Sequence, residues 1–559
     1  MIKKISKIDK ILFCSLIFLT MLFIVFKVNS FVFFSISLCL NLFLILVIKE
    51  IKKILNIKFS KLQKIVMLLC ILFVYLFYFV SIINRKFIYY WDYSCYYNLQ
   101  ISLEESFNVG VFSGIKSFIG STWSGEYGNF LSFFPEFIFK FTNKTINSYV
   151  LSCVLVYVPY IVISISILLI KVMNLFKVKK QNLIYITSMF SFIMFPLLHA
   201  TFIYGQPDIF GITFIFLIIG LTINYEFKKP DLPRLAILFI ITFMLFISRR
   251  WYLYFIVSYY FCYVTAVIIN NFKNKELKNI IKNCAIYGVI SFIIFLITMF
   301  PFFKNVIAGD LSNSYVYYMS GGFVSELLSQ IKHIGYLPLI IMFIGMFYGI
   351  KVKKYRLYTI LSIMQYLLII ILFTKVQNMG LHHSILLISS YLYYIFLFII
   401  FVCQNYYISF LIIIIFIINF GFGLFYNDSL IFTDVPLQTP QQNDYDKIED
   451  VCIWLKKNLN ESNKAYMINH NNTYNPDKFR NFYLPDKTIS NYLPYGSAII
   501  GTHSFPLELF ESKYIITTDP FENVSIEGIY NDVFNKLVSE GKFQLVKQFD
   551  MDNDINLLI

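Results

Sequence analysis

Long apolar runs separated by short polar breaks occupy the first three quarters of the chain. A bilayer core about 30 Å thick requires roughly 20 apolar residues in a helix, and these runs approach that length. The pattern predicts thirteen membrane spans, near residues 11–28, 30–48, 65–84, 148–170, 183–200, 208–225, 234–248, 251–270, 283–301, 336–350, 357–374, 384–402 and 406–426. We therefore expect a polytopic α-helical membrane protein.

The pattern changes after residue 426, where hydrophobicity falls. Ile448, Val451 and Leu455 recur at helical spacing, as on the buried face of an amphipathic helix. Short apolar runs predict three strands, at 464–469, 514–518 and 543–549. We expect a transmembrane domain over 1–426, followed by a small extracytoplasmic α/β domain over 427–559.

Lysine and arginine concentrate in alternate breaks between the spans. These breaks are 49–64, 171–180, 228–234, 273–282 and 351–356. The positive-inside rule makes them cytoplasmic, together with the N-terminus. No small-residue cleavage site follows the first apolar run, so we expect a retained anchor. The same orientation puts 85–147, 302–335 and the C-terminal domain on the outer face. Segment 302–335 is interpreted either as a lid over a site or as a plain connecting loop.

Composition supports the membrane class and narrows the partners. Hydrophobic residues make up 58% of the 559 residues and charged residues 14%, and the formal net charge is +15. The cations are dispersed between spans, so they indicate orientation and not nucleic-acid binding. Nine cysteines are scattered without a CxxC spacing, which predicts neither a disulfide framework nor a cysteine metal site.

Asp92 lies in the segment Tyr89-Tyr90-Trp91-Asp92-Tyr93, where an apolar span enters a long outer segment. Aromatic residues favour the headgroup boundary, where a lipid-linked substrate presents its polar end. A carboxylate there can take the proton from an acceptor hydroxyl while that oxygen attacks a sugar's anomeric carbon. Asp92 is therefore our candidate catalytic base. The alternative is that it caps the helix that follows.

Cations on the predicted outer face form the complementary set. They are Arg249, Arg250, Lys375, His382 and His383. Arginine binds phosphate through paired donors, and lysine or histidine adds charge or a proton, so we predict a donor-phosphate site. The alternative is snorkelling to lipid headgroups.

Other polar positions predict less. Adjacent histidines seldom bind one ion and no third ligand is obvious, so we predict no metal site and no cofactor; a divalent metal is not indicated. At the outer break after His199, Pro207 and Asp208 are interpreted as starting and capping the next helix.

Four short motifs resemble those of the GT-C glycosyltransferases, in particular the branch of protein mannosyltransferases and aminoarabinose transferases. The motifs are Trp91-Asp92-Tyr93, the stretch from Gly125-Glu126-Tyr127-Gly128-Asn129 to Phe134-Pro135, Ser248-Arg249-Arg250-Trp251-Tyr252, and Gln377-Asn378 to His382-His383. The resemblance implies a membrane enzyme that uses a polyprenyl-phosphate sugar donor on the outer leaflet. It matches Asp92 to the catalytic acid of the first outer loop.

The same resemblance implies that Trp91, Glu126 and Tyr127 bind substrate and that the outer cations meet the donor phosphate. Two features depart from the family. Many members carry two adjacent acids where this chain has Asp92-Tyr93, and two additional spans precede the loop. The subfamily and any metal requirement therefore stay open.

The predicted function is transfer of a sugar from a polyprenyl-phosphate donor to a cell-surface glycan, lipid or protein. One alternative is a polysaccharide polymerase or ligase with a diphosphate-linked donor. It is disfavoured because 302–335 holds only two cations, Lys304 and Lys332. The other is a transporter or flippase of lipid-linked sugars. It would favour charged or broken helices at mid-membrane, and the predicted spans carry little charge.

Overall fold

The computed structural model is mainly helical. The residues it describes are 7–83, 85–124, 127–308, 321–403, 405–425, 431–438, 441–469, 471, 473–494, 506–521 and 527–559. Their contacts divide the chain into two compact units. The first unit comprises Met1–Ser81, Leu99–Thr142 and Tyr149–Gln438, and the second comprises Ile82–Asn98, Asn143–Ser148 and Thr439–Ile559.

Helices α1 to α18 cover the apolar part of the sequence. They are α1 (Lys7–Val25), α2 (Asn29–Ile54), α3 (Lys61–Ile83), α4 (Asp92–Val109), α5 (Val111–Ser124), α6 (Glu136–Phe139), α7 (Ile146–Leu175), α8 (Gln181–Ile193), α9 (Ala200–Ile203), α10 (Gly211–Thr222), α11 (Leu232–Ser248), α12 (Tyr252–Asn271), α13 (Leu277–Ala308), α14 (Gly322–Ile334), α15 (Tyr336–Lys351), α16 (Lys353–Thr374), α17 (Ile388–Val402) and α18 (Tyr406–Phe425). The described residues also form four 3-10 helices, at Asn129–Phe133, Pro196–Leu198, Pro207–Phe210 and Leu381–Leu387.

A helix lies at each predicted span, but the count of thirteen is not confirmed. Among the described residues, eight helices are long and apolar enough to cross a membrane, and α14 with α15 makes a ninth if that bent pair is one span. Three shorter apolar helices accompany them. The predicted span 183–200 is interrupted because α8 ends at Ile193 and Pro196 starts a separate 3-10 helix. The chain is a multi-pass membrane protein.

The region 302–335 is more helical than the lid or loop expected there. Helix α13 continues past Pro301 to Ala308, with a non-helical Met299 as a kink. Helix α14 then occupies Gly322–Ile334 and meets α15 at a bend of 104°. Pro301 lies inside this helix, close to the kink, as proline often does. Residues 309–320, with Tyr315, Tyr317 and Tyr318, lie outside the described residues.

The segment 85–147, which is predicted to lie on the outer face, holds α4, α5 and α6. Buried polar pairs join α4 to α6. Gln100 Nε2 donates to Glu136 Oε2 at 2.7 Å, and Lys140 Nζ lies 2.6 Å from Glu104 Oε1. Gln100 and Glu104 are four residues apart on α4, and Glu136 and Lys140 are four residues apart at α6. One face of α4 therefore contacts one face of α6.

In the second unit, helices lie on both faces of a small mixed sheet. Its strands are β1 (Ala465–Met467), β2 (Tyr514–Asp519), β3 (Gln548–Asp550) and β4 (Asn556–Leu558), in the order β1-β2-β4-β3. Strands β1 and β2 are parallel, and the two other pairs are antiparallel. The helices are α19 (Tyr445–Asn458), α20 (Pro476–Asn481), α21 (Thr488–Tyr492), α22 (Glu508–Glu511) and α23 (Glu527–Ser539).

Helix α19 forms as its spacing predicts, and Ile448, Val451 and Leu455 are buried in the main core of this unit. Ile88, from the segment that precedes Asp92, joins the same core. The third strand is shorter than expected, since only residues 548–550 of the C-terminal run form β3. The pattern missed β4, which pairs with both β2 and β3.

Candidate active site

Asp92 is the first residue of α4 and is exposed to solvent. The backbone before it is held by α20, within the second unit. The Trp91 N–H donates to Asp477 Oδ2 at 3.1 Å, and Asn481 Nδ2 donates to the Tyr89 carbonyl at 2.9 Å. Trp91 has a left-handed φ of 48°, a conformation uncommon for a bulky residue. Hydrogen bonds therefore fix the backbone that leads into Asp92. This arrangement is compatible with Asp92 as a base and with Asp92 as a residue that only starts a helix.

Titratable groups around this segment are perturbed by burial. Burial raises the pKa of Asp477, against the opposing effects of the Trp91 N–H and Arg480. Burial lowers the pKa of Lys478 to about 8, although Asp444 opposes the change. The Lys478 ammonium lies 4.8 Å from the centre of the Tyr90 ring. Burial, and then the charge of Asp92, raises the pKa of Tyr93. Phenols with raised pKa values do not compete with Asp92 as bases at neutral pH.

Arg249 is the centre of a second cluster, in the first unit. It ends α11 in extended conformation and is only 8% exposed. Its guanidinium carbon lies 4.1 Å from the centre of the Tyr127 ring, a cation–π contact. Its Nε lies 3.7 Å from Oδ1 of the wholly buried Asp208. These two contacts orient the guanidinium of a buried arginine.

The prediction that Pro207 and Asp208 start a helix is confirmed, since both lie in the first turn of the 3-10 helix, but neither residue is its N-cap. Pro207 does start the 3-10 helix, but Gln206 is the residue before it and Asp208 faces Arg249. The Tyr252 hydroxyl also donates to the Asp208 carbonyl at 2.6 Å. The Tyr252 ring lies so close to Gly211 that a Cβ at position 211 would overlap with it. Asp208 thus belongs to the cluster around Arg249, which the sequence did not reveal because a Pro-Asp pair is typical of a helix start.

The histidine pair lies at the start of the 3-10 helix Leu381–Leu387. The two ring centres are 3.8 Å apart. His383 is buried and its Nδ1 accepts from the Gly380 N–H at 3.0 Å. Trp251 packs edge-on against the His383 ring with 5.4 Å between centres. We call the stretch 379–384, which carries both histidines, the histidine loop. Because Trp251 is two residues from Arg249, its contact with His383 brings the histidine loop and the end of α11 together.

The other residues singled out from the sequence lie in varied surroundings. Arg250 is half-buried, and Lys375 is exposed where α16 ends. Glu126 lies outside the described residues, so of the pair Glu126-Tyr127 only Tyr127 is placed. His199 is buried, and its Nε2 lies 2.6 Å from the Ile193 carbonyl. In the described part of the chain, no group of three His, Cys, Asp or Glu side chains has metal-binding geometry.

Comparisons with known proteins identify little. No family model matches the sequence, and no curated protein matches it. Among solved structures, ArnT from Cupriavidus metallidurans bound to undecaprenyl phosphate is similar, at 9% identity and a TM-score of 0.46. The similarity covers 88% of this chain and 97% of that one. Chains this divergent cannot be matched residue by residue, so the roles proposed below depend on this chain's own sequence and geometry.

Proposed function

We propose that the protein is a membrane glycosyltransferase that moves a sugar from a polyprenyl-phosphate donor to an acceptor hydroxyl on the outer face of the membrane. The acceptor oxygen attacks the anomeric carbon, and the bond from that carbon to the phosphate oxygen breaks. The phosphate leaves with the bonding electrons, and the hydroxyl proton passes to a carboxylate. One displacement inverts the anomeric centre, so a single base suffices.

The oriented, buried Arg249 carries this proposal. A phosphomonoester-type leaving group gains negative charge as the bond breaks, and a fixed cation in a poorly solvated position stabilises that charge more than a solvated one. Asp208 and Tyr127 both contact the guanidinium, with Nε 3.7 Å from Oδ1 of Asp208 and the guanidinium carbon 4.1 Å from the centre of the Tyr127 ring. His382 and His383 add donors from the loop that Trp251 joins to α11.

Asp92 is the proposed base. It is exposed at the first turn of α4, and Asp477 and Asn481 hold the backbone of Trp91 and Tyr89 before it. The motif Trp91-Asp92 also carries the resemblance to the GT-C enzymes, in which the acid of the first outer loop is catalytic. Trp91, Tyr127 and Glu126 are proposed to contact substrate.

The test is transfer of label from a panel of radiolabelled polyprenyl-phosphate sugars in membranes that contain the full-length protein. Asp92→Asn keeps the shape of the side chain and removes the base, so we expect a loss of transfer of about 10²–10⁴-fold. Asp550→Asn, an exposed acid on β3, is the matched control. Full activity of Asp92→Asn refutes the assignment of the base.

A parallel panel of diphosphate-linked sugars decides between donor classes. Label transferred only from the diphosphate donors would show a polymerase or ligase instead. Arg249→Ala should weaken use of the monophosphate donor, whereas Arg356→Ala should not. Arg356 is exposed and its guanidinium donates to the carbonyls of Ile350 and Lys351, in a break predicted to be cytoplasmic.

A further inference from the structure

Helix α14 buries a carboxylate on a face where apolar residues are expected. Glu326, Gln330 and Ile334 recur every four residues and are buried. Val324 and Leu328, on the opposite face, are exposed. A glutamate is almost never fully buried unless its oxygens have partners. Glu326 is only 3% exposed, so its partners indicate its role.

Both oxygens of Glu326 accept hydrogen bonds from neutral groups. Oε2 accepts from the Met379 N–H at 2.8 Å, and Oε1 accepts from Gln330 Nε2 at 2.9 Å. The same Gln330 nitrogen donates to Ser384 Oγ at 2.8 Å, and the Tyr391 hydroxyl donates to Gln330 Oε1 at 3.0 Å. Each of these polar atoms has a partner of the right type, so the network is connected throughout.

The network fastens both sides of the histidine pair. Met379 precedes Gly380-Leu381-His382-His383, and Ser384 follows it. Within that stretch the Gly380 N–H donates to His383 Nδ1, which sets the ring orientation. Glu326 and Gln330 therefore hold the two ends of the four-residue stretch that carries the histidines.

We propose that Glu326 is a positioning residue that holds the loop 379–384 so that His382 and His383 face the donor phosphate. The effect on the donor depends on the function proposed above, whereas the effect on the loop does not. The reach of the side chain to Met379 matters in this role, and its negative charge does not. A role in proton transfer or in binding a cation would depend on the charge instead.

Two conservative variants separate these roles. Glu326→Gln keeps the length of the side chain and removes the charge. The amide oxygen of the new glutamine can accept from the Met379 N–H. The Gln330 amide can rotate so that its oxygen accepts from the new glutamine nitrogen and its own nitrogen donates to the Tyr391 hydroxyl, which can also accept. Glu326→Asp keeps the charge but is one methylene shorter, so it cannot reach both partners. Ser325→Ala, an exposed change on the same helix, is the control.

The experiment combines hydrogen exchange with donor titration, on the full-length protein in nanodiscs. Peptides that cover 375–387 report the loop, and the KM for the polyprenyl-phosphate sugar reports the site. We expect Glu326→Asp to raise exchange and KM about fivefold to tenfold, the effect of about one lost hydrogen bond, with little change in kcat. Glu326→Gln and Ser325→Ala should match the wild type.

Two outcomes overturn the inference. One is a loss in Glu326→Gln equal to or greater than that in Glu326→Asp, which would show that the charge is used. The other is unchanged exchange over 375–387 in Glu326→Asp. If the wild type transfers no sugar, the proposed function fails by itself, and the exchange data still decide whether Glu326 holds the loop.

Discussion

The contact between Arg249 and Asp208 predicts strong thermodynamic coupling between the two residues. Asp208 is wholly buried, Arg249 is 8% exposed, and Nε lies 3.7 Å from Oδ1. At that distance and an effective dielectric constant of about 20, the attraction is about 4.5 kcal/mol. Removing one member of a buried pair costs about 3–5 kcal/mol because the other charge loses its partner. The two magnitudes agree, so each single change should destabilise the protein severely.

The perturbation is a double-mutant cycle with Arg249→Met, Asp208→Asn and the combined variant. The combined variant removes both charges, so it should recover about 3 kcal/mol relative to the sum of the single changes. The assay is the free energy of unfolding in mixed micelles titrated with SDS. Transfer activity should not return in the double variant, since the guanidinium proposed to meet the phosphate is missing.

Additive single effects would refute this reasoning, because they would mean that the two charges do not interact. The matched control is the ion pair between Lys86 and Asp446. Its 2.7 Å distance is shorter, but its side chains are 56% and 73% exposed. Solvent screening should leave no measurable coupling there. A control pair as strongly coupled as Arg249 and Asp208 would show that burial is not the deciding factor.

Three further predictions concern stability. Glu104→Gln leaves the Lys140 ammonium, 12% exposed, without its charged partner 2.6 Å away, and should lower the unfolding free energy by about 3 kcal/mol; Glu105→Gln, exposed and adjacent, is the comparison. The pKa of Lys478 is lowered in the fold to about 8, so its burial penalty applies fully below pH 8 and disappears as pH rises to 10.5. Melting temperatures should therefore rise over that window in the wild type relative to Lys478→Met, and parallel pH profiles would contradict this. Gly335→Ala should cost at least about 1 kcal/mol in SDS titration, because Gly335 has a φ of 82° and its Cβ would lie 2.3 Å from the Phe432 carbonyl carbon; an unchanged midpoint would contradict it.

The long spans could be predicted because hydrophobicity over about 20 residues is a strong signal that tertiary contacts seldom override. Helix α19 could be predicted for the same kind of reason, since Ile448, Val451 and Leu455 repeat at helical spacing. Strand β4 could not, because three residues carry no periodicity and their state depends on pairing with β2 and β3. Helix α14 could not be predicted because its buried face includes Glu326 and Gln330, polar residues that are typical of a loop.

The candidate site residues divide in the same way. Asp92 and Arg249 could be proposed from the sequence because a charged residue beside an apolar span is unusual, whichever residue it contacts. Asp208 and Glu326 could not, because their importance depends on which distant side chain meets them. Arg249 follows Asp208 by 41 positions, and Met379 follows Glu326 by 53. A single sequence carries no record of such pairings.

The surroundings of Asp92, Asp208 and Glu326 predict three different results when each carboxylate is replaced by an amide. Asp92 is exposed, so Asp92→Asn should leave the fold intact and remove only the proton acceptor. Asp208 lies beside a buried cation, so Asp208→Asn should destabilise the fold through the charge left on Arg249. Glu326 meets neutral donors, so Glu326→Gln should be tolerated because an amide can replace its acceptor role. The partner of each carboxylate, and not the acid itself, decides what its loss costs. Measuring stability and transfer for the three variants side by side tests that rule, and equal effects in all three would contradict it.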